Sequence, residues 1–249
     1  MKNNPLNRRF VAINRISESG PNEKFWPVVF LDGCNLRCPY CLNESIVQLS
    51  GTPEYIPAHE ILGHLEIWGE EGCMISGGEP CVPHTDCDIK DVVKFLSKVS
   101  KQIGIATNGS FPQILKSLID EKLVSYVALD CKFSPVSSNR CFKSNSIQAK
   151  SDFCLKVKES LDLLKQWHTE NSNAMSEVRT TVYPGLIEED DIVEIGKLVH
   201  EKSVWVLQQY RQHAAFGSDP VVPYAKERLM SLHQLAKASC SSNVLLRWP

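Results

Sequence analysis

The chain has 249 residues, 43% of them hydrophobic, with 27 Lys and Arg against 29 Asp and Glu for a formal net charge of −2. That length and composition suffice for a full core and suit one α/β domain, while the balanced charge gives no electrostatic footprint for a nucleic-acid backbone. No apolar run approaches a signal-peptide core or the roughly 20 residues that span a bilayer, so a soluble cytoplasmic protein without a membrane partner is expected. Ten cysteines in such a chain read as metal ligands and buried thiols rather than five disulfides.

In chain order, short apolar, β-branched runs alternate with stretches of helical period. WPVVFL (26–31) predicts a first strand, followed by a helix on Ile61, Leu62, Leu65 and Trp68. CMI (73–75) predicts the second strand, with a helix on Ile89, Val92, Val93, Leu96 and Val99. IGIA (103–106) precedes a helix on Ile114, Leu115, Leu118 and Ile119, and VSYVAL (124–129) precedes one on Val157, Leu161, Leu164 and Trp167. VRTTVY (178–183) leads to a helix on Ile192, Ile195, Leu198 and Val199, and VWVLQ (204–208) is the sixth strand. The acidic run EEDD (188–191) stands where the fifth helix begins and reads as a helix start, carboxylates facing the positive end of the dipole. The Ser-rich stretch 132–152 is long enough for a functional lid or a disordered excursion.

Six alternations of strand and helix predict a parallel sheet with crossover helices, either an open doubly wound sheet or a partial barrel. Both architectures gather ligands at the C-terminal ends of strands. Cys34 follows the first predicted strand, Gly77 the second, Thr107 the third, and Asp130 lies at the end of the fourth.

The stretch FLDGCNLRCPYCLNESI (30–46) holds Cys34, Cys38 and Cys41. Three thiolates on one short loop can wrap an iron–sulfur cubane and leave one iron open for a substrate or cofactor, whereas structural zinc ordinarily takes four ligands as two tight pairs. ISGGEPC (75–81) places two glycines and Glu79 at the end of the next strand, where glycine admits close approach to the backbone and a carboxylate can pair with an ammonium.

Together these two motifs resemble the radical S-adenosylmethionine (SAM) superfamily. The resemblance is most specific to the activating proteins of glycyl-radical enzymes, anaerobic ribonucleotide reductase activators in particular, through IATNGS (105–110), LDCKF (129–133), VRTTVYPGL (178–186) and VLQQYRQ (206–212). Leu42 and Glu44 depart from the histidine and proline common there. The resemblance implies a partial (β/α)6 TIM-type barrel, forming a single domain over 1–249 with its core at about 24–210 and a C-terminal helix and tail at 211–249. It implies one [4Fe–4S] cluster on Cys34, Cys38 and Cys41, and S-adenosyl-L-methionine as cofactor. Gly77, Gly78 and Glu79 would hold the methionine amino group, Tyr40 would contact the adenine, and Thr107, Asn108 and Arg179 would contact the carboxylate or ribose. Asp130 and Lys132, two residues apart on one strand face, would contact cofactor or substrate, although such a pair is often only solvated.

The implied reaction is reductive cleavage of SAM to a 5′-deoxyadenosyl radical, with electrons from a donor such as flavodoxin or ferredoxin. That radical would generate a glycyl radical on a partner such as anaerobic ribonucleotide reductase. Two alternatives stand beside this: a radical SAM enzyme acting on a small molecule, peptide or RNA, and a non-catalytic zinc- or cluster-binding module. Cys73, Cys81, Cys87, Cys131, Cys141, Cys154 and Cys240 read as small buried hydrophobes, with Cys81 and Cys87 weighed as half of a second cluster site. His213 reads as a surface or lining residue.

Overall fold

In a computed structural model, residues 5–18, 20–21, 24–47, 54–84, 87–134 and 147–248 are described. Residues 135–146, the middle of the expected lid and including Cys141, lie outside them. A 3-10 turn, Pro5–Arg8, opens the chain, followed by β1 (Phe10–Glu18), β2 (Phe25–Leu31), α1 (Glu44–Val47), α2 (Ala58–Trp68), β3 (Cys73–Gly77) and α3 (Ile89–Leu96). Then come β4 (Ile103–Thr107), α4 (Pro112–Asp120), β5 (Tyr126–Asp130), α5 (Ile147–Glu170) and β6 (Met175–Val182). The chain closes with α6 (Glu189–Leu198), β7 (Val204–Gln209), α7 (Lys226–Ser239) and β8 (Asn243–Arg247). No helix among the described residues is long and apolar enough to cross a membrane.

The eight strands follow one another in sheet order from β1 to β8, and among the described residues no ladder joins the two ends, so the sheet is open. Pairing is parallel at β2–β3, β3–β4, β6–β7 and β7–β8, and antiparallel at β1–β2. The six predicted strands are β2 to β7, in the strand order of a partial (β/α)6 barrel. Two more flank them. β1 reads FVAINRISE, and its ladder with β2 is broken by register shifts between Phe10 and Ala12 and between Asn14 and Ser17, which spoil the two-residue period.

By internal contacts the chain forms two compact units. The first comprises Met1–Asn35, Asn43–Thr107 and Lys116–Val127. Its core buries Trp26, Val29 and Leu31 of β2, Ile75 of β3, Ile61 and Leu65 of α2, and Val92, Val93 and Leu96 of α3. Strand β2 is a continuous apolar run and the helix residues recur at 3.6-residue spacing, which is what makes these elements legible. Trp26 meets Tyr126 edge-on at 6.4 Å.

The second unit comprises Leu36–Leu42, Asn108–Leu115 and Ala128–Pro249. Strands β6, β7 and β8 bury Val178, Thr180, Val182, Trp205, Leu207 and Val244 on one face. There the Trp205 indole donates to Thr180 Oγ1 at 3.1 Å. Helix α6 begins at the acidic run as expected: the backbone N–H of Glu188 donates to Asp191 Oδ2 at 3.0 Å, half of a capping box. Glu188 also accepts from Tyr224 at 2.6 Å, and Arg228 pairs with both Glu188 and Glu189.

Candidate active site

The predicted site residues fall in both units. In the first, the end of β3 is drawn against the chain following β2. Gly78 N–H donates to Leu31 O at 2.9 Å and Glu79 N–H to Gly33 O at 2.8 Å, continuing the ladder past the strand ends. A Cβ on Gly78 would stand 1.8 Å from Gly33 O and 3.3 Å from the Cys34 Cβ, so this backbone approach requires glycine. Gly77, with φ of +114°, turns the chain into it. The glycines therefore serve chain-to-chain approach first. Glu79, 1% exposed, accepts through Oε1 from Thr107 Oγ1 at 2.6 Å and from the Cys81 amide at 3.0 Å. Its carboxylate thus ties the loop to the end of β4.

Two features of this unit were not singled out from the sequence. Asn43 Nδ2 donates to Gly77 O at 2.8 Å, tying the residue that closes the cysteine-loop motif to the glycine segment. Asp32, two residues before Cys34, accepts from Arg9 Nη1 at 3.3 Å and Tyr55 O–H at 2.9 Å, in a setting where Arg9 is 1% exposed. Burial lowers the Arg9 pKa, opposed chiefly by Asp32. The available signal was the polar Asp32 directly after an apolar strand; its partners, 23 residues away in each direction, leave no local pattern.

The second unit holds the other two cysteines of the loop. Cys38 and Tyr40 are buried with Phe133, Cys154, Tyr183 and Tyr210, and Leu36 and Cys41 pack against them. Tyr40 lies 5.0 Å from Tyr183 and 6.2 Å from Tyr210, ring centre to ring centre. Burial, reinforced by Cys38, pushes the Tyr40 hydroxyl pKa well up, so it is a neutral phenol at physiological pH. Lys132 pairs with Asp130 at 2.9 Å, which makes the predicted pair an ion pair, half-buried rather than solvated. Burial disfavours the Lys132 ammonium, but Asp130, Cys38 and Tyr40 outweigh it and hold the pKa above the ordinary value. A permanent cation therefore stands beside Cys38.

Arg179 is placed against Glu177 on the same face of β6, while its carbonyl accepts from Cys131 N–H at 2.8 Å. Asn108 accepts through Oδ1 from the Ser110 amide at 2.9 Å and hydroxyl at 2.6 Å, closing a local turn. His213 shares its backbone with Tyr210: its carbonyl accepts from the Tyr210 hydroxyl at 2.5 Å and its amide donates to it at 2.9 Å. Cys73, Cys81, Cys87, Cys131 and Cys154 are buried, and Cys240 is half-buried. Burial raises Cys73 to about 11 and Cys131 to about 12, keeping both protonated. No group of three or more His, Cys, Asp or Glu is gathered for metal binding among the described residues.

The donor chemistry fits an iron–sulfur cluster. Cys34 and Cys41 are partly exposed, and Cys38 lies in an aromatic shell, so one short loop carries three thiols of the type that ligate such a cluster. Open α/β architecture with a three-cysteine loop after its second strand defines a class of cluster-dependent enzymes. The model of the radical SAM superfamily matches residues 28–199, and the chain belongs to that superfamily. Membership implies a [4Fe–4S] cluster and SAM.

A Methanocaldococcus jannaschii protein, provisionally named a glycyl-radical enzyme activating enzyme, is 30% identical over 228 residues, 88% of each chain. The 7-carboxy-7-deazaguanine synthase of Aquifex aeolicus is 30% identical over 40% of this chain and 46% of its own. Among solved structures, a radical SAM methyltransferase from Sphaerobacter thermophilus shares the fold with a TM-score of 0.61 at 13% identity, over 90% of this chain and 66% of that one.

Proposed function

We propose that the chain is a glycyl-radical enzyme activating enzyme, acting as a single domain in the cytoplasm. The observation that supports this reading above others is the likeness to the Methanocaldococcus jannaschii protein along nearly the whole of both chains. Cys34, Cys38 and Cys41 hold one [4Fe–4S] cluster, and Gly77, Gly78, Glu79, Thr107, Asn108 and Arg179 hold SAM. When bound, the two together supply a carbon-centred radical able to abstract hydrogen from a glycine Cα. The chain's contribution is placement and exclusion of water. Asn43 and the Glu79–Thr107 bond fix the glycine segment, Tyr40 packs as a neutral aromatic wall, and Lys132 keeps positive charge by Cys38 with Asp130 as its counter-ion. A one-electron donor such as flavodoxin or ferredoxin is the second partner.

The test is to mix reduced, cluster-loaded protein with a candidate glycyl-radical enzyme, anaerobic ribonucleotide reductase first, and SAM. A glycyl doublet in the electron paramagnetic resonance spectrum is expected. SAM cleavage with no doublet from any candidate partner would instead favour the second reading, a small-molecule substrate, which partial likeness to the Aquifex aeolicus synthase and to the GTP 3′,8-cyclase of Thermodesulfovibrio yellowstonii supports.

A further inference from the structure

In the second unit, beside the cysteine loop, a cavity of about 340 Å³ is bounded by Tyr40, Thr181, Gln208, Arg211, Arg247 and Trp248, among others. Three of these residues form one row across the sheet. Thr181 is the register partner of Gln208, and Gln208 that of Arg247, so the ends of β6, β7 and β8 present them side by side on one face. The same face carries Glu177 and Arg179 further down β6. Arg179 and Arg247 both pair with the single carboxylate of Glu177, so this face carries more positive than negative charge.

The row is built rather than incidental. Arg247 is held by Gln208 Oε1 at 3.3 Å and by Glu177 at 3.5 Å, which fixes its guanidinium on the wall. Glu177 is already engaged by Arg179. Arg211 is exposed and has no ion-pair partner among the described residues. Among the described residues, no aspartate or glutamate lines the cavity. Donors therefore exceed acceptors: two guanidinium groups, the Thr181 hydroxyl and the Gln208 NH₂, whose oxygen is taken. Trp248, 45% exposed, supplies a flat apolar wall.

We infer that this cavity binds an anionic group of the substrate, carboxylate or phosphate, with Arg211 and Arg247 as the residues that select it. Tyr40 and Leu42, which also line it, flank Cys41 in sequence, so the bound anion anchors the substrate next to the cysteine loop. The assignment is independent of whether that substrate is a protein segment or a small molecule.

Titration of the cluster-loaded full chain with two probes, in a buffer free of phosphate and sulfate, tests it. One probe is inorganic tripolyphosphate; the other is the acetylated, amidated peptide Gly-Glu-Gly-Glu, with Gly-Gln-Gly-Gln as neutral control. Saturable binding of one acidic probe, read by calorimetry and by tryptophan fluorescence that W248F removes, is expected. The probe that saturates identifies the source as phosphate or as an acidic protein segment. Arg211→Ala and Arg247→Gln should each weaken it about tenfold, the loss of one charge-assisted bond. Arg228→Ala, on a separate ion pair, should leave it unchanged. Because Arg211 is exposed, its variant keeps the fold even where Arg247→Gln does not. Binding of neither acidic probe, equal binding of the neutral peptide, or unchanged affinity in Arg211→Ala would overturn the assignment.

Discussion

A methyl group on Gly78 would have to share space with the Gly33 carbonyl, 1.8 Å away, and relief requires parting the backbone after β2 from that after β3. Gly78→Ala should therefore lower unfolding stability by about 3 kcal/mol, visible as a lower urea midpoint. Glu79 gives a sharper contrast. Glu79→Ala leaves the buried Thr107 hydroxyl and Cys81 amide without this acceptor, at a cost of about 1–3 kcal/mol, whereas Glu79→Gln keeps an acceptor oxygen and most of the stability. Cluster iron should persist in Glu79→Gln while SAM binding weakens by about 1–2 kcal/mol, measured by equilibrium dialysis. Cys38→Ala, leaving two thiols on the loop, should lose the iron. Equal iron loss in both variants would make Glu79 a structural residue only.

At the scale of elements, strands β2 to β7 were legible because each is a short apolar run with a helical pattern after it. The flanking strands were not: β1 is interrupted by register shifts, and β8, NVLLR, is as long as β3 to β5 but has no helical pattern after it and buries only Val244. The cysteine and glycine segments were readable as chemistry because both are contiguous in sequence. The anchoring of Asn43 to Gly77 and of Asp32 to Arg9 depends on distant pairings that no local pattern encodes. The β6 row was half visible, since Arg179 stood out, but its pairing to Glu177 and the placement of Arg247 across two ladders needed the sheet register.

The junction of α5 with β6 carries a pH dependence of its own. His168 is buried, shares a 2.7 Å hydrogen bond with Ser176, and stacks on His200 at 5.2 Å. Burial, and then His200 and Lys202, lower its pKa to about 4. The unfolded chain, with an ordinary value near 6.5, binds the proton first. Stability from the neutral ring is therefore complete above about pH 6.5 and lost as pH falls towards about 4, to the extent of about 3 kcal/mol. His168→Gln should flatten the stability-against-pH profile within that window, measured by denaturant titration at several pH values.

For the whole molecule, function rests on a three-cysteine loop that holds one cluster which SAM engages directly. About four irons per chain are expected after anaerobic reconstitution, unchanged when Cys81 and Cys87 are both replaced by serine, since those thiols are buried and Cys81 is held protonated by burial and by Glu79. The most direct measurement is the electron paramagnetic resonance spectrum of the reduced, reconstituted protein with and without SAM. A [4Fe–4S] signal that shifts when SAM is added and is absent in Cys38→Ala is expected. A colourless zinc protein, or a cluster signal indifferent to SAM, would contradict this.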